Sequence, residues 1–198
     1  RGIIRMRKDV LNLTMSALFV AAMSVSGTIL KIPLPPPIPS LSMQFFFSTL
    51  AGIILGSKLG AISMMVYILL GLSGLPIFTT GGGIGYIFYP SFGYILGFVG
   101  SAFIAGLIRE WSNKNCVSAS FKWLIVGNFL SLIFVYFCGT SYLYLIKNFY
   151  TNDNISIINA IQISILSFIP TDSIWCLLSA IVGKKLLNSW PGFHNKTV

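Results

Sequence analysis

The sequence predicts an all-α polytopic membrane protein, a single transmembrane domain over residues 1–198 whose bundle has six spanning helices. Three observations predict it. Only 9% of residues are charged and 55% are apolar, with a mean hydropathy of +0.85, whereas soluble domains carry about 25% charge. Several apolar runs approach the ~20 residues that a helix needs to cross about 30 Å of hydrocarbon. The thirteen Lys and Arg, set against four acids, sit at the ends of those runs. Disorder is excluded by the same composition, since disordered chains are polar and poor in aromatics. Basic residues that form no continuous face argue against a groove that tracks nucleic-acid phosphates. Three scattered cysteines (Cys116, Cys138, Cys176) and one histidine, His194, give no metal-ligand spacing, so no metal or cofactor is expected.

The first span covers 11–30. It is longer than the apolar core of a secretory signal and ends on no small-x-small cleavage site. Met6 is a candidate initiator, which leaves open whether residues 1–5 are native. A loop follows that holds Pro33, Pro35, Pro36, Pro37 and Pro39 and cannot be helical. Runs 43–57 and 59–72 are short, and Gly56-Ser57-Lys58-Leu59-Gly60 between them reads as a tight helical hairpin. After a Gly-rich loop come spans at 88–108 and 123–146. Residues 155–169 are apolar but interrupted by Asn159, Gln162 and Ser164, and read as an interfacial helix. It feeds a last span, 170–187, with Pro170 in the first turn, where a missing N–H costs nothing.

Six spans put both termini on one side, together with Arg1, Arg5, Arg7, Lys8, Lys58, Arg109, Lys114, Lys122, Lys184, Lys185 and Lys196. Only Lys31 and Lys147 fall opposite. The positive-inside rule makes the richer side cytoplasmic. Small residues recur on two spans: Thr14, Ala17, Ala21, Ser24 and Thr28 on the first, and Gly93, Gly97, Ser101 and Ala105 on the fourth. Such stripes allow close helix approach. On the fourth they read as packing within the bundle; on the first, as packing or as contact with another membrane protein.

Asp172 is the one acid placed within a span, two residues after Pro170. It reads either as a first-turn acid favoured by the helix dipole or as a carboxylate facing a ligand cavity, the default for an ionisable group in a membrane. The second feature is Gly74 to Tyr86, where Gly81, Gly82, Gly83 and Gly85 allow positive φ and close backbone approach. Phe78, Tyr86, Phe88, Tyr89, Phe92 and Tyr94 are interleaved or follow. The stretch is either a lid with N–H donors and flat apolar walls or an ordinary loop. No Gly-Lys-Ser/Thr follows the glycines and no G-x-G-x-x-G register fits, so no ATP hydrolysis is expected here. No catalytic residues are expected either.

These residues resemble the BioY family, the biotin-binding membrane subunits (S-components) of energy-coupling factor (ECF) vitamin transporters. The likeness runs from about residue 13 to 187 and includes Lys31-Ile32-Pro33-Leu34-Pro35, Gly71-Leu72-Ser73-Gly74-Leu75-Pro76-Ile77-Phe78, Pro90-Ser91-Phe92-Gly93-Tyr94 and Gly139-Thr140-Ser141-Tyr142. It implies a pocket near the outer face of a bacterial plasma membrane, roofed by the first and third external loops. Its implied ligand is biotin, with Asp172 accepting from ureido N–H groups, aromatic rings around the thioether ring and loop N–H groups at the acid tail. The implied contacts are Asp172, Trp175, Gln44, Phe78, Thr79, Thr80, Gly83, Gly85, Tyr86, Tyr89 and Tyr94. Ala17 and Ala21 resemble the Ala-xxx-Ala patch that docks on a transmembrane coupling subunit, and two ATPase subunits complete the implied complex.

The chain departs from the family pattern at the last span. The family usually shows Pro-Gly-Asp with Lys three residues after the Asp, and here the run is Pro170-Thr171-Asp172-Ser173-Ile174-Trp175. Positions three apart share a helix face, so Trp175 is expected beside Asp172. Phe92 stands where glycine is common. A BioY-like subunit for another small carboxylate or cyclic metabolite is therefore the alternative in the same class. A membrane-embedded enzyme would need paired titratable groups at one depth, and Asp172 and His194 lie at opposite ends of the last span. A purely structural or chaperone-like partner has no use for the Gly-aromatic loop.

Overall fold

A computed structural model describes residues 2–32, 41–115, 120–151, 153–166 and 168–189. Pro33, Pro35, Pro36, Pro37, Pro39, Cys116, His194 and Lys196 lie outside the described residues. The helices are α1 (Gly2–Thr28), α2 (Gln44–Leu55), α3 (Ser57–Leu72), α4 (Phe92–Asn115), α5 (Phe121–Leu145), α6 (Ile157–Ile161) and α7 (Ile169–Ser189). A two-residue antiparallel ladder joins β1 (Lys31–Ile32) to β2 (Leu41–Ser42), pairing Lys31 with Ser42. A 3-10 turn at Ile84–Phe88 precedes α4, and π-helical turns extend α5 through Tyr150 and α6 through Leu166.

Among the described residues, three helical stretches are long and apolar enough to cross a membrane alone: Asp9–Thr28, Phe92–Asn113 and Phe121–Tyr150. The pair Ile157–Leu166 and Ile169–Ser189, bent by 45°, makes a fourth if taken as one span. The expected second and third spans are shorter apolar helices, Gln44–Leu55 and Ser57–Leu72. Twelve residues of α2 rise only ~18 Å, and all but one of them are buried inside the bundle.

The helices also run past the apolar segments. α1 starts at Gly2 rather than near residue 11, because Arg, Met and Lys are good helix formers whether or not lipid surrounds them. α4 continues beyond Ile108 because Glu110 has work at its end. The backbone N–H of Ser57 donates to Glu110 Oε1 at 2.8 Å, and the Ser57 hydroxyl bonds both carboxylate oxygens. This acid satisfies an orphan N–H at the start of α3 and complements its dipole. Gly56, at φ 89°, supplies the left-handed residue that separates α2 from α3.

Backbones meet at this joint. A Cβ on Gly52 would stand 2.1 Å from the Ala102 carbonyl oxygen, and one on Gly106 2.4 Å from the Ser57 nitrogen. Gly60 lies against Gly52 in the same way, which closes the α2–α3 hairpin. The α4 stripe faces α5, as bundle packing requires: Gly93 meets Tyr142, Gly97 meets Val135, and the Ser101 carbonyl accepts from Ser131 at 3.0 Å.

Polarity runs from inside outward. Leu69, Phe129, Ile133 and Phe137 are exposed on the perimeter, where lipid accepts them. Inside, Ser48 and Ser101 hydroxyls pair at 2.7 Å, and Asn128 Nδ2 donates to the Cys176 carbonyl at 2.9 Å and to Ser179 Oγ at 2.7 Å. Bonds of this kind hold membrane helices together at roughly 0.6 kcal/mol each.

The glycine contacts lead to a stability prediction. Gly106→Val forces a side chain into the Ser57 backbone and is expected to cost about 1–3 kcal/mol or more, read as a lower thermal midpoint in detergent. Gly85→Ala, where an added Cβ meets open space, leaves the midpoint unchanged.

Candidate ligand-binding site

The helix starts of α2 and α7, the middle of α5 and the loops before α4 converge on one small chamber of about 60 Å³. Ser42, Gln44, Phe45, Thr79, Ser91, Tyr94, Ile95, Phe98, Val135, Tyr136, Phe168 and Asp172 line it. α7 begins at Ile169–Pro170, so Asp172 stands in its first turn, its N–H bonded to the Phe168 carbonyl. From α5 the Tyr136 hydroxyl donates to Asp172 Oδ2 at 2.8 Å. One carboxylate oxygen is thereby fixed, and among the described residues Oδ1 is left for a second donor.

The opposite wall is a relay. Ser42 Oγ donates to Gln44 Oε1 at 3.1 Å, Gln44 Nε2 donates to Tyr67 Oη at 2.7 Å, and Tyr67 donates to the Ile77 carbonyl at 3.0 Å. Gly27 permits this crossing, because a Cβ there would lie 2.8 Å from the Ile77 oxygen and 2.9 Å from Gln44 Nε2. Tyr94 finds its place the same way: its ring occupies the space that a side chain on Gly139 would fill.

Of the residues expected from sequence, Gln44, Thr79, Tyr94 and Asp172 line the chamber. Tyr86 supports it from behind, its hydroxyl bonded to Thr79 Oγ1 at 2.8 Å and to Ser91 Oγ at 3.1 Å. Phe78 is 1% exposed and seats its ring against Gly71, stacked edge-on with Tyr67. Tyr89 lies flat on Tyr86 and is half exposed. Thr80 and Gly85 are exposed outside the chamber. Gly83, at φ 99°, donates its N–H to the Gly71 carbonyl at 2.7 Å, and the Gly81 N–H goes to the Phe78 carbonyl. The glycines thus fold the loop onto α3 and spend these two donors there rather than on a ligand. Trp175 packs on Phe46, ring centres 6.0 Å apart, and is not among the lining residues.

Sequence reasoning missed Tyr136, and with it Ser42, Ser91 and the apolar wall of Phe45, Ile95, Phe98, Val135 and Phe168. A phenol inside a span is a signal, since its hydroxyl needs a partner. Which partner it takes depends on how α5 and α7 pack.

The BioY family model matches residues 4–192. The chain belongs to the BioY family. Among the relatives, the "Probable biotin transporter BioY" of Lysinibacillus sphaericus is 36% identical over 180 residues, 91% of this chain and 88% of that protein. The "Biotin transporter BioY" of Thermotoga maritima is 33% identical over 166 residues, 83% of this chain and 89% of that one. A crystal structure titled as the S-component for biotin from an ECF-type ABC transporter superposes with a TM-score of 0.81 at 29% identity, covering 94% of this chain and 95% of that one. The bundle is the S-component fold, and this BioY-family chain is a multi-pass membrane protein.

A second surface lies on α1. Ala17 and Ala21 are exposed along a groove of about 700 Å³ between α1 and α3, with Ser16, Val20, Ile62 and Val66 among its walls.

The Tyr136–Asp172 bond can be tested without a ligand. Tyr136→Phe removes the donor from a half-buried carboxylate and is expected to cost about 1.5–3 kcal/mol of stability. Equilibrium unfolding in detergent reads it, and an unchanged midpoint would mean that the bond contributes nothing.

Proposed function

We propose that this chain captures biotin in the membrane and hands it on as the S-component of an ECF-type vitamin uptake transporter. The observation that carries this reading is Asp172 held on the chamber wall by Tyr136 with one oxygen still open. A ureido ring presents N–H donors, and a carboxylate accepts them in charge-assisted bonds. Tyr94, Phe98 and Phe168 give the flat apolar walls that a fused thioether ring needs. The relatives named as biotin transporters support the same ligand.

The chain has no nucleotide motif, so the energy comes from partners: a transmembrane coupling subunit and two ATPase subunits. Ala17 and Ala21 on the open α1 groove are the docking face for the coupling subunit, since small residues let a partner helix approach closely. Both termini lie in the cytoplasm and the membrane is the bacterial plasma membrane, in keeping with the charge distribution. One observation favours a second reading. Trp175 stands where the family usually has Lys, and its buried Nε1 has no hydrogen-bond partner among the described residues, so a different small carboxylate or cyclic metabolite is the competing ligand. Mass spectrometry of ligand retained through purification separates the two.

Two outcomes test the function. Asp172→Asn is expected to weaken biotin binding at least tenfold, about 1.4 kcal/mol, in a detergent binding assay; unchanged affinity removes Asp172 from the site. Ala17→Arg is expected to leave binding intact while abolishing uptake in cells that express the whole transporter. Uptake that survives the arginine would falsify the docking face.

A further inference from the structure

Among the described residues the chamber wall holds one acid and no base. A ligand that meets Asp172 through N–H groups and carries an acid of its own is held most strongly if a cation stands at its other end. Most described basic residues stand too far away. Lys58 and Arg109 belong to the Gly56 end of the bundle, beside the Ser57–Glu110 contact. Lys184 lies twelve residues beyond Asp172 on α7, ~18 Å along the axis, and Lys122 lies fourteen before Tyr136 on α5, ~21 Å. Lys147 is ion-paired with Asp153, whose carboxyl is held below its ordinary range chiefly by the Lys147 hydrogen bond.

Lys31 is different. It is half-buried, its backbone pairs with Ser42 across the β1–β2 ladder, and its Nζ donates to the Thr79 carbonyl. Ser42 and Thr79 both line the chamber. The ammonium therefore stands at the chamber rim with one neutral acceptor among the described residues and N–H groups to spare. Two of the loop glycines do not compete for this position, because the Gly81 N–H is given to Phe78 in the loop and the Gly83 N–H to Gly71 on α3.

We propose that Lys31 receives the anionic end of the ligand and thereby sets a preference for an acid over its neutral analogue. The assignment rests on the biotin reading above and extends it: ureido donors meet Asp172, and the side-chain carboxylate meets Lys31. A purely architectural Lys31, strutting the ladder against the Thr79 loop, would affect charged and neutral ligands alike.

The experiment compares biotin with biotinamide, which differs only at the carboxyl, on the purified full chain. Wild type is expected to bind biotin at least tenfold tighter than the amide. Lys31→Gln is expected to lose at least tenfold for biotin, hold the amide within twofold and keep its thermal midpoint, while Lys31→Arg keeps most of the preference. The assignment is overturned by wild type that does not discriminate, a measurement that needs no variant. It is equally overturned if Lys31→Gln still prefers the acid or weakens both ligands in parallel. Wild type that binds neither compound instead sinks the biotin reading, and Lys31's role falls with it.

Discussion

A carboxylate inside a bundle surrounded by hydrocarbon is stable only if something nearby replaces the water it lost. Here that replacement is the Tyr136 hydroxyl, reaching from α5 to Asp172 in the first turn of α7. The chamber follows from the need to bring these two groups together. α5 and α7 must pack at the right depth, which the Asn128 bonds to Cys176 and Ser179 secure further down the same pair. Among the described residues this single donor meets only Oδ2, which leaves the carboxylate polar and partly unpaired on the chamber wall.

The second theme is the division of labour between glycine and aromatics. Gly71 accepts the Phe78 ring and Gly139 accepts Tyr94, while Gly27 lets Gln44, Tyr67 and Ile77 meet. The Gly-rich loop is therefore packed onto α3, with rings running from Tyr67 of α3 through Phe78 and Tyr86 to Tyr89. Its polar output to the chamber is indirect, through Tyr86 holding Thr79 and Ser91.

Much of the fold was legible in the sequence because apolar runs and their charged ends report solvent directly. Helix ends were less so. Arg, Met and Lys continue α1 upstream of the apolar segment, and Glu110 draws α4 beyond it for a bond to Ser57 that no local pattern announces. At the candidate site, Asp172 was legible as an isolated intramembrane acid and Tyr94 as one of the aromatics after the Gly-rich loop, whereas Gln44 and Thr79 came only from the family resemblance. Tyr136 was not, since nothing local distinguishes it from the phenols around it. Trp175 was expected at the ligand from its spacing to Asp172, yet three residues around a helix turn by about 60°, enough for it to settle on Phe46 instead. Gly83 promised an N–H donor, and the fold used that donor on Gly71.

The α2–α3–α4 joint has a mechanical corollary. Gly52, Gly60 and Gly106 meet main chain there, with no side chain between to change rotamer. Well-packed interfaces shift between discrete arrangements rather than deform gradually, and one built from bare backbone has hardly a second arrangement to shift to. These three segments therefore turn as one solid wedge.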